Sequence, residues 1–568
     1  MQRALAACAA LFIAACASPP FERSAATMDS GRPMSERLAM YEVVHYDITT
    51  DIDVAAKSIQ GRAAITIRAR EEMDILELDF DGQFTITSVG GWPYHVDTFG
   101  RTDDKLMIPL PNGLPAGDEA RVWVEYEGVP HEALRPPWQG GFTWAKTPSG
   151  KPWIATSFQG EGCDLWFPCK DHPDGEPGGL DLRITVDHDL VAVLNGVLVN
   201  VESTDDGRKT YHWRTEVPTN TYGIALNVGP YVLIENTYTS TNGTVVPVKF
   251  WAIEDRQEQA RDLFEREFIP VTQWFEKMVG PYPWGQEKLG VVETPHLGME
   301  HQTVNAYGNY FRRDDYGFDW LFHHEIAHEW FGNVMTHKTV SDLWLHEGFG
   351  AYMQPMYTLE LMGAAAFHAR MYDSYLRINA CNAIAPRQEL SADELYFDDQ
   401  DGTGPAGDIY TKGSWVLQSL RYVVGDDKFW QATRILVYDT PNPELLKPPI
   451  AARFRSTDDF VKIASDVYGE DLGWFFEVYA RQGALPVLDS EQIDEGVQLI
   501  WRHSGDVVFP MPLPVAVNGE LRRIEFDGNR AVIPGVDIDE IDIDPLMQIL
   551  RKLPTVPTCE ERRAETGA

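Results

Sequence analysis

The pattern of hydrophobic and polar positions divides the chain into three regions. From about residue 40 to 235, β-branched and aromatic residues form short runs that end at Gly, Pro, Asp or Asn. Examples are YEVVHYDITTDIDV, AAITIRAR, ILELDF, RVWVEYEG, DLRITVDHD and VAVLNGVLV. Such runs are typical of β-strands. The first region is therefore predicted to be an all-β domain.

The pattern changes to helical spacing from about residue 240 to 487. Leu263, Phe264, Phe268 and Val271 recur at intervals that place them on one helix face. Further helices are predicted over residues 319–331, 351–362, 412–424 and 457–467. Residues 488–550 return to short strands (GVQLIWRH, LPVAVNG, LRRIEF and AVIPGV), which predict a small β-sandwich.

The first residues, MQRALAACAALFIAACAS, are typical of a secretory signal. Arg3 precedes an apolar run that is too short to span a bilayer, which needs about 20 apolar residues. Ile13-Ala14-Ala15 followed by Cys16 resembles the lipobox of bacterial lipoproteins, in which the Cys becomes the lipidated N-terminus. We therefore expect Cys16 to attach the chain to a lipid membrane. An ordinary signal peptide with an incidental Cys is the alternative.

The residue after Cys16 is Ala17 and not Asp, which by the usual sorting rule favours the outer membrane. We expect the protein in the bacterial cell envelope, lipid-anchored, on the periplasmic side of the outer membrane. The predicted segments are a signal peptide (1–15), a lipidated tether (16–38), an N-terminal β domain (39–235), a catalytic domain (236–487), a small β-sandwich (488–553) and a flexible tail (554–568).

Composition excludes two classes of protein. Of 568 residues, 44% are hydrophobic and 11% aromatic, which is too much core-forming material for a disordered acidic chain. The chain has 86 Asp and Glu against 48 Lys and Arg, a net charge of −38. Nucleic acid is therefore not expected as a partner, because its binding needs basic patches. We interpret the acidic excess as a solvated surface.

The cysteines do not indicate a disulfide framework. Two of the six belong to the predicted signal and lipid anchor. Four remain in a long chain: Cys163, Cys169, Cys381 and Cys559. Cys163 and Cys169 either pair in an oxidising compartment or stay as two buried thiols, and the sequence leaves both possibilities open.

Candidate chemistry is concentrated in FHHEIAHEWFGN, residues 322–333. His324 and His328 are four residues apart, so a helix places them on one face where they can bind one cation. Glu325 lies beside the first histidine, where its carboxylate can act as a base on water. This H-E-x-x-H arrangement suits zinc. Two unrelated histidines on a surface helix are the alternative, but the apolar neighbours argue against it.

A catalytic zinc site needs a third protein ligand. In SDLWLHEGFG, residues 341–350, Ser341 is a predicted N-cap and Glu347 follows about two turns later. The 18 residues between His328 and Glu347 allow the chain to return antiparallel, so Glu347 is the predicted third ligand. We interpret three other histidines as neighbours and not as ligands, because only His324 has the complete motif: His301, His323 and His346.

HEIAHEWFGN with DLWLHEGFG resembles the zinc aminopeptidase family that includes aminopeptidase N and leukotriene A4 hydrolase, the gluzincins. Upstream, VETPHLGMEHQT is similar to the family's G-x-M-E-N motif, with Glu300 on its Glu and Gly298 and Met299 on the preceding positions. Leu297 replaces the first Gly of that motif, and His301 replaces its Asn.

Two further segments carry the resemblance. TSFQGEGCDLWFPCKDHPD, residues 156–174, is similar to a family stretch in which Gln159 falls on a residue that holds the substrate's N-terminal end. IYTKGSWVLQSLR, residues 409–421, places Tyr410 on the family's catalytic tyrosine. His346 replaces the Asn that usually precedes the ligand Glu. The four motifs occur in the family's order.

The resemblance implies a role for each of these residues. One Zn2+ per chain would be held by His324, His328 and Glu347, with Glu325 as general base and Tyr410 stabilising the oxyanion. Glu300 and Gln159 would bind the substrate α-amine. Met299 and Gly298 are further predicted substrate-binding residues. For His296 and Met299, lining the pocket and packing in the core are equally open.

The implied fold class is multidomain α+β. We expect an N-terminal all-β saddle-like domain, a thermolysin-like, mostly helical catalytic domain, a small C-terminal β-sandwich and no large C-terminal helical domain. The implied function is a zinc-dependent aminopeptidase acting on peptides with a free N-terminus. The alternatives are a leukotriene A4 hydrolase-like epoxide hydrolase and aminopeptidase, and a catalytically inactive binding lipoprotein.

Overall fold

The computed structural model describes residues 25–102, 104–397, 404–554, 556–559 and 561. The predicted signal peptide and Cys16 lie outside these residues. The N-terminal part is built from strands, as the alternating pattern predicts. After helix α1 (Glu36–Ala39) its strands are β1 (Tyr41–Asp53), β2 (Ser58–Ala69), β3 (Met73–Asp79), β4 (Thr85–Trp92), β5 (Gly100–Arg101), β6 (Lys105–Leu114), β7 (Glu119–Gly128), β8 (Gly141–Lys146), β9 (Pro152–Ser157), β10 (Leu180–Val186), β11 (Val191–Val193), β12 (Val197–Ser203), β13 (Lys209–Thr215) and β14 (Asn227–Gly229).

These strands form sheets that pack around one hydrophobic core. The largest sheet has the order β12-β13-β10-β1-β2-β7-β4, in which β1 and β10 are parallel. The others have the orders β11-β14-β9-β8 and β3-β6-β5. In β7, the buried residues Ala120, Val122, Val124 and Tyr126 alternate with residues that are exposed or half-buried. Successive side chains of a strand point to opposite faces, so one face of β7 supplies the core.

The part predicted to be catalytic begins with another sheet, of order β15-β16-β17-β19-β18, and continues with helices. Its strands are β15 (Tyr231–Thr239), β16 (Val245–Ile253), β17 (Leu289–Glu293), β18 (Gly298–Met299), β19 (Asn305–Tyr307), β20 (Met335–His337) and β21 (Arg453–Arg455). Its helices are α2 (Gln257–Leu263), α3 (Ile269–Met278), α4 (Trp320–Ala327), α5 (Trp344–Met362), α6 (Ala364–Tyr375), α7 (Ala392–Tyr396), α8 (Thr411–Val424), α9 (Asp426–Tyr438), α10 (Thr457–Tyr468) and α11 (Gly473–Tyr479).

Two predicted boundaries differ from the structure. The predicted division at residue 235 lies inside strand β15. Since β15 pairs with β16, the whole of β15 belongs to the second part of the chain. The helix predicted over 351–362 begins earlier, at Trp344. Ser341 is not its N-cap as predicted, because Leu343 occupies that position. The Ser341 hydroxyl instead donates to Gln388 O (2.9 Å) and accepts from Leu390 N (2.8 Å).

The predicted C-terminal β-sandwich is present. Its strands are β22 (Val487–Ile493), β23 (Gly496–Arg502), β24 (Leu513–Val517), β25 (Glu520–Ile524), β26 (Arg530–Pro534) and β27 (Ile541–Ile543), in sheets of order β22-β23-β26 and β25-β24-β27. One hydrophobic core runs from the catalytic helices into this sandwich. The predicted multidomain α+β fold is therefore confirmed.

The four remaining cysteines form disulfides. Cys163 pairs with Cys169, which settles the alternative left open by the sequence. Cys381 pairs with Cys559, across 178 residues. The second pairing was not indicated by the number or spacing of the cysteines. The second bridge also ties part of the predicted flexible tail to the catalytic part.

Part of the predicted tether packs on the body of the protein. We call residues 29–32 the N-terminal strap. Ser30 N donates to Gly160 O (3.1 Å) in the N-terminal part, and Ala392 N of the catalytic part donates to Ser30 O (3.0 Å). The strap therefore contacts both parts. Among the helices that the structure describes, none has the length and apolarity needed to cross a bilayer.

Candidate active site

Helix α4 carries the two histidines. Asp319 caps it by accepting hydrogen bonds from Leu321 N and Phe322 N, both 3.1 Å. Helix α5 approaches with Glu347 in its first turn. The Nε2 atoms of the two histidines are 3.3 Å apart. Each lies 3.4 Å from Glu347 Oε2. Tetrahedral ligands of zinc, each about 2.0–2.1 Å from the ion, are about 3.3–3.4 Å apart, so His324, His328 and Glu347 fit zinc.

The electrostatics of the three ligands favour a cation between them. Glu347 Oε2 is buried and has no hydrogen-bond donor among the described residues. Burial opposes its charge, but His328 and His324 hold the pKa of Glu347 well below its ordinary value. Burial would lower the pKa of His328, but Glu347 outweighs it and raises that pKa to about 10. The three side chains thus favour the charged form of the Glu347 carboxylate and a positive charge next to it.

The orientation of the rings is set by close packing. His328 Nδ1 lies 2.9 Å from Phe331 O, so its Nε2 faces the other ligands. A Cβ atom at Gly350 would lie 3.1 Å from Cε1 of both ligand histidines, so glycine lets α5 approach them. Three other histidines lie outside the ligand cluster, as expected: His301, His323 and His346.

Glu325 lies beside the ligands, at Gly298 of β18. A Cβ atom at Gly298 would be only 2.3 Å from Glu325 Oε1, so this position requires glycine to make room for the carboxylate. Burial, with Glu300 as a second cause, raises the pKa of Glu325 well above its ordinary value. A carboxyl group of this kind takes up a proton readily, which suits a general base.

The predicted amine-binding residues also come together. Gln159 Nε2 donates to Glu300 Oε1 (2.6 Å), across 141 residues of sequence. Tyr222 O–H donates to the same oxygen (3.0 Å). Burial raises the pKa of Glu300 to about 7. In the described part of the chain, Glu300 forms no ion pair with a lysine or arginine. Tyr222 has no motif around it that would have pointed to this contact.

Two tyrosines reach the metal ligand Glu347. Tyr410 O–H donates to Glu347 Oε1 (2.9 Å) from the start of α8. Tyr396 O–H lies 3.3 Å from the same oxygen and 3.4 Å from Gln159 Oε1. Burial raises the pKa of Tyr410 well above its ordinary value, so it remains a neutral donor. The sequence motifs predict Tyr410 but not Tyr396, which lies in none of them.

A cleft of about 620 Å³ connects these groups. Its lining includes the metal ligands, Glu325 and the amine-binding pair Gln159 and Glu300. Further lining residues are Trp138, Met299, Trp320, Gln354, Arg370 and Arg377. Met299 both packs in the N-terminal core and borders the cleft. His296 is buried and is not part of the cleft lining, which favours the core interpretation for this histidine.

Comparison with known families agrees with this geometry. Residues 277–479 match the Peptidase family M1 domain, and residues 42–222 match the Peptidase M1 N-terminal domain. Together the two matches cover more than half of the chain, and the first contains the whole zinc-ligand set. The chain belongs to peptidase family M1. The M1 assignment confirms the resemblance predicted from the motifs.

Individual M1 relatives are distant. The leukotriene A-4 hydrolase of Xenopus laevis is 23% identical over 333 residues, 55% of this chain and 51% of that protein. Leucine aminopeptidase 2 of Ajellomyces capsulatus (strain NAm1 / WU24) is 24% identical over 410 residues, 68% of this chain and 62% of that protein. This M1 chain thus spans less than two thirds of the length of either relative.

Solved M1 structures share the fold. The M1 zinc metallopeptidase from Deinococcus radiodurans matches 78% of this chain and 94% of its own, with a TM-score of 0.61 and 22% identity. A mutant of that enzyme bound to a Tyr-Ser-Ala substrate matches with a TM-score of 0.62, over 78% of this chain and 95% of its own, at 22% identity. Both solved structures are of a zinc metallopeptidase. The ligand set of this M1 chain has the geometry to bind zinc.

Proposed function

We propose that this M1 protein is a zinc-dependent aminopeptidase that removes N-terminal residues from peptides. The observation that carries the proposal is Glu300, a buried carboxylate that lines the cleft and has no lysine or arginine partner among the described residues. A free α-ammonium group is the cation that would complete this site. Pairing with it would place the first peptide bond of a substrate at the metal ligands.

The residues around the bond divide the chemistry. When bound, zinc supplies Lewis acidity, which activates water at neutral pH and polarises a carbonyl. Glu325 takes the proton of the attacking water and returns it to the leaving amine. Tyr410 donates its hydroxyl hydrogen to the oxyanion that develops on the substrate carbon, a contact of about 3–4 kcal/mol in comparable sites.

The amine end determines where the bond is cut. Gln159 and Tyr222 hold the Glu300 carboxylate in place, so the ammonium meets a fixed partner. An N-acetylated peptide brings no positive charge and leaves a buried carboxylate uncompensated, which costs more than one lost contact. Hydrolysis should therefore be confined to free N-termini.

The test is hydrolysis of a panel of amino acid nitroanilides by the purified protein. We expect cleavage of free-amine substrates, little cleavage of their N-acetyl forms, and loss of activity with a chelator that zinc restores. Equal cleavage of acetylated and free substrates would contradict the amine-binding role. Bound zinc without hydrolysis would favour an inactive binding protein, and epoxide hydrolysis would favour the leukotriene A4 hydrolase-like alternative.

We further propose that the protein is lipid-anchored at Cys16 in the cell envelope, on the periplasmic side. Support comes from the apolar N-terminal run and the Ile13-Ala14-Ala15-Cys16 sequence. The test is expression of wild type and Cys16→Ser in a bacterial host, followed by detergent partitioning and mass analysis of the N-terminus. An unlipidated N-terminus in the wild type would contradict the anchor.

A further inference from the structure

Tyr396 connects the two halves of the active site. Its hydroxyl is 3.4 Å from Gln159 Oε1. The NH2 group of the same amide, Gln159 Nε2, donates to Glu300. The same hydroxyl is 3.3 Å from the metal ligand Glu347. A tyrosine hydroxyl carries one hydrogen to donate. The structure places this one hydrogen within reach of both Gln159 Oε1 and Glu347 Oε1.

This contact supports the orientation of the Gln159 amide that Glu300 requires. With Oε1 accepting from Tyr396, the NH2 group points to the Glu300 carboxylate, as the 2.6 Å bond requires. The opposite orientation would set an amide oxygen against the Glu300 carboxylate and lose the hydrogen bond between them. Tyr396 therefore favours the amide orientation that supports amine binding.

Tyr396 stands on α7, a helix of five residues. Helices this short are not stable by themselves in water, so external contacts must hold α7 in place. Ser391 and Glu394 form a capping box that pairs Ser391 N and Glu394 N. The two amides between them, of Ala392 and Asp393, need partners from elsewhere.

The N-terminal strap supplies those partners. Ala392 N donates to Ser30 O (3.0 Å), and Asp393 N donates to Asp29 Oδ1 (2.9 Å) across 364 residues of sequence. The Asp29 carboxylate also hydrogen-bonds the side chain of Ser391. The start of α7 is thus completed by a segment from the other end of the chain.

The strap is itself fixed beside Gln159. Ser30 N donates to Gly160 O (3.1 Å), and its hydroxyl donates to Asp171 (3.0 Å). Gly31 has a φ of +64°, and a Cβ atom there would lie 2.2 Å from a methyl group of Val340, so the strap passes where only glycine fits. Strap residues line a small cavity of about 30 Å³ together with Gln159 and Tyr396.

We infer that Tyr396 is a positioning residue for the amine-binding end of the site, and that the N-terminal strap holds it there through α7. The inference rests on the proposed aminopeptidase function. It assigns the segment that follows the predicted anchor a part in substrate recognition, in addition to any linking role.

The first experiment measures the kinetics of Tyr396→Phe, Asp29→Ala and the double variant on free-amine nitroanilides. Each single variant should lower kcat/KM about tenfold, mainly through KM, with zinc content unchanged. If the strap acts through Tyr396, the double variant should be no worse than Tyr396→Phe alone. Effects that multiply in the double variant would overturn the link, and unchanged kinetics in Tyr396→Phe would overturn its positioning role.

Matched variants separate this role from a general loss of stability. Asp29→Asn keeps a side-chain oxygen that can accept from Asp393 and should restore wild-type kinetics. Arg32→Ala changes the same strap but removes an ion pair with Asp104 (3.0 Å) and not a contact with α7, so its kinetics should match the wild type. An equal loss of kcat/KM in Arg32→Ala would overturn the assignment of the effect to the contact between Asp29 and α7.

A second readout does not depend on turnover. Hydrogen exchange of residues 391–397 should be faster in Asp29→Ala than in wild type, Asp29→Asn or Arg32→Ala. Unchanged exchange in Asp29→Ala would overturn the strap's hold on α7. If the wild type shows no aminopeptidase activity, the proposed function fails. The exchange result then still decides whether the strap holds α7.

Discussion

Gly413 of α8 and Gly348 of α5 are in direct backbone contact. A Cβ atom at residue 413 would lie 2.9 Å from Cα of Gly348, and one at residue 348 would lie 3.2 Å from Cα of Gly413. Glu347 directly precedes Gly348, and Tyr410 is the N-cap residue of α8, the helix that contains Gly413. The contact between two glycines therefore sets the distance at which the phenol meets the metal ligand, 2.9 Å.

Gly413→Ala should lower kcat while zinc remains bound. The added methyl group pushes α8 away from α5 and moves Tyr410 away from the reacting carbonyl. Misplacement by about 1 Å can cost up to about 100-fold in rate. The measurement is kcat on an amino acid nitroanilide together with zinc content. Gly407→Ala is the control, because a Cβ there meets no atom within 4 Å. Full activity in Gly413→Ala would contradict this account.

Glu325→Gln should abolish turnover and leave zinc bound. The amide keeps the shape of the side chain but cannot take a proton from water, and general acid–base groups contribute about 100- to 10,000-fold. The measurement is kcat with metal analysis of the same sample. His324→Ala should instead lose zinc, because it removes one of three ligands. Turnover near the wild-type value in Glu325→Gln would rule out its assigned role.

Glu300→Ala should weaken free-amine substrates selectively. Removing one partner of a buried charged pair costs about 2–5 kcal/mol, so kcat/KM should fall by at least about 30-fold. The residual rate on N-acetyl substrates should change little. The ratio of kcat/KM on free-amine substrates to that on N-acetyl substrates should therefore fall. Glu265→Ala, at an exposed position of the helical region, is the matched control and should keep wild-type kinetics. A uniform loss on both substrate classes would argue against amine recognition.

His301 should make the protein less stable in acid. Burial lowers the pKa of His301 from its ordinary value of 6.5 to about 3. Between those pH values the unfolded chain binds a proton that the folded protein does not, so stability falls as pH falls from about 6.5. One such proton changes the free energy of unfolding by about 1.4 kcal/mol per pH unit.

His301→Asn should reduce this pH dependence, because asparagine does not titrate. The measurement is denaturant unfolding between pH 4 and 7, compared by slope and not by absolute stability. His95→Asn is the control, since the His95 side chain is 89% exposed. The same slope in His301→Asn and wild type would show that His301 does not contribute.

Short-range sequence patterns predict the strands, the helices and the histidine pair of this protein. The i, i+4 histidines on one helix and the alternation along β7 follow from the geometry of helices and strands, so they could be predicted without tertiary structure. The spacing from His328 predicts Glu347, whereas Glu300, Gln159 and Tyr410 are predicted because each lies in a motif that resembles the family. What the motifs could not supply was the network between them.

Only the tertiary structure decided the remaining contacts. Tyr396 meets Gln159 across 237 residues, and Asp29 meets Asp393 across 364 residues. Neither contact leaves a local periodicity, because each depends on how separately folded parts pack together. Ser341 is a further example, because its hydroxyl hydrogen-bonds the backbone of Gln388 and Leu390 and does not cap the helix that follows it. The sequence by itself determined the reactive groups, and tertiary packing decided what holds them in position, because that depends on distant backbone.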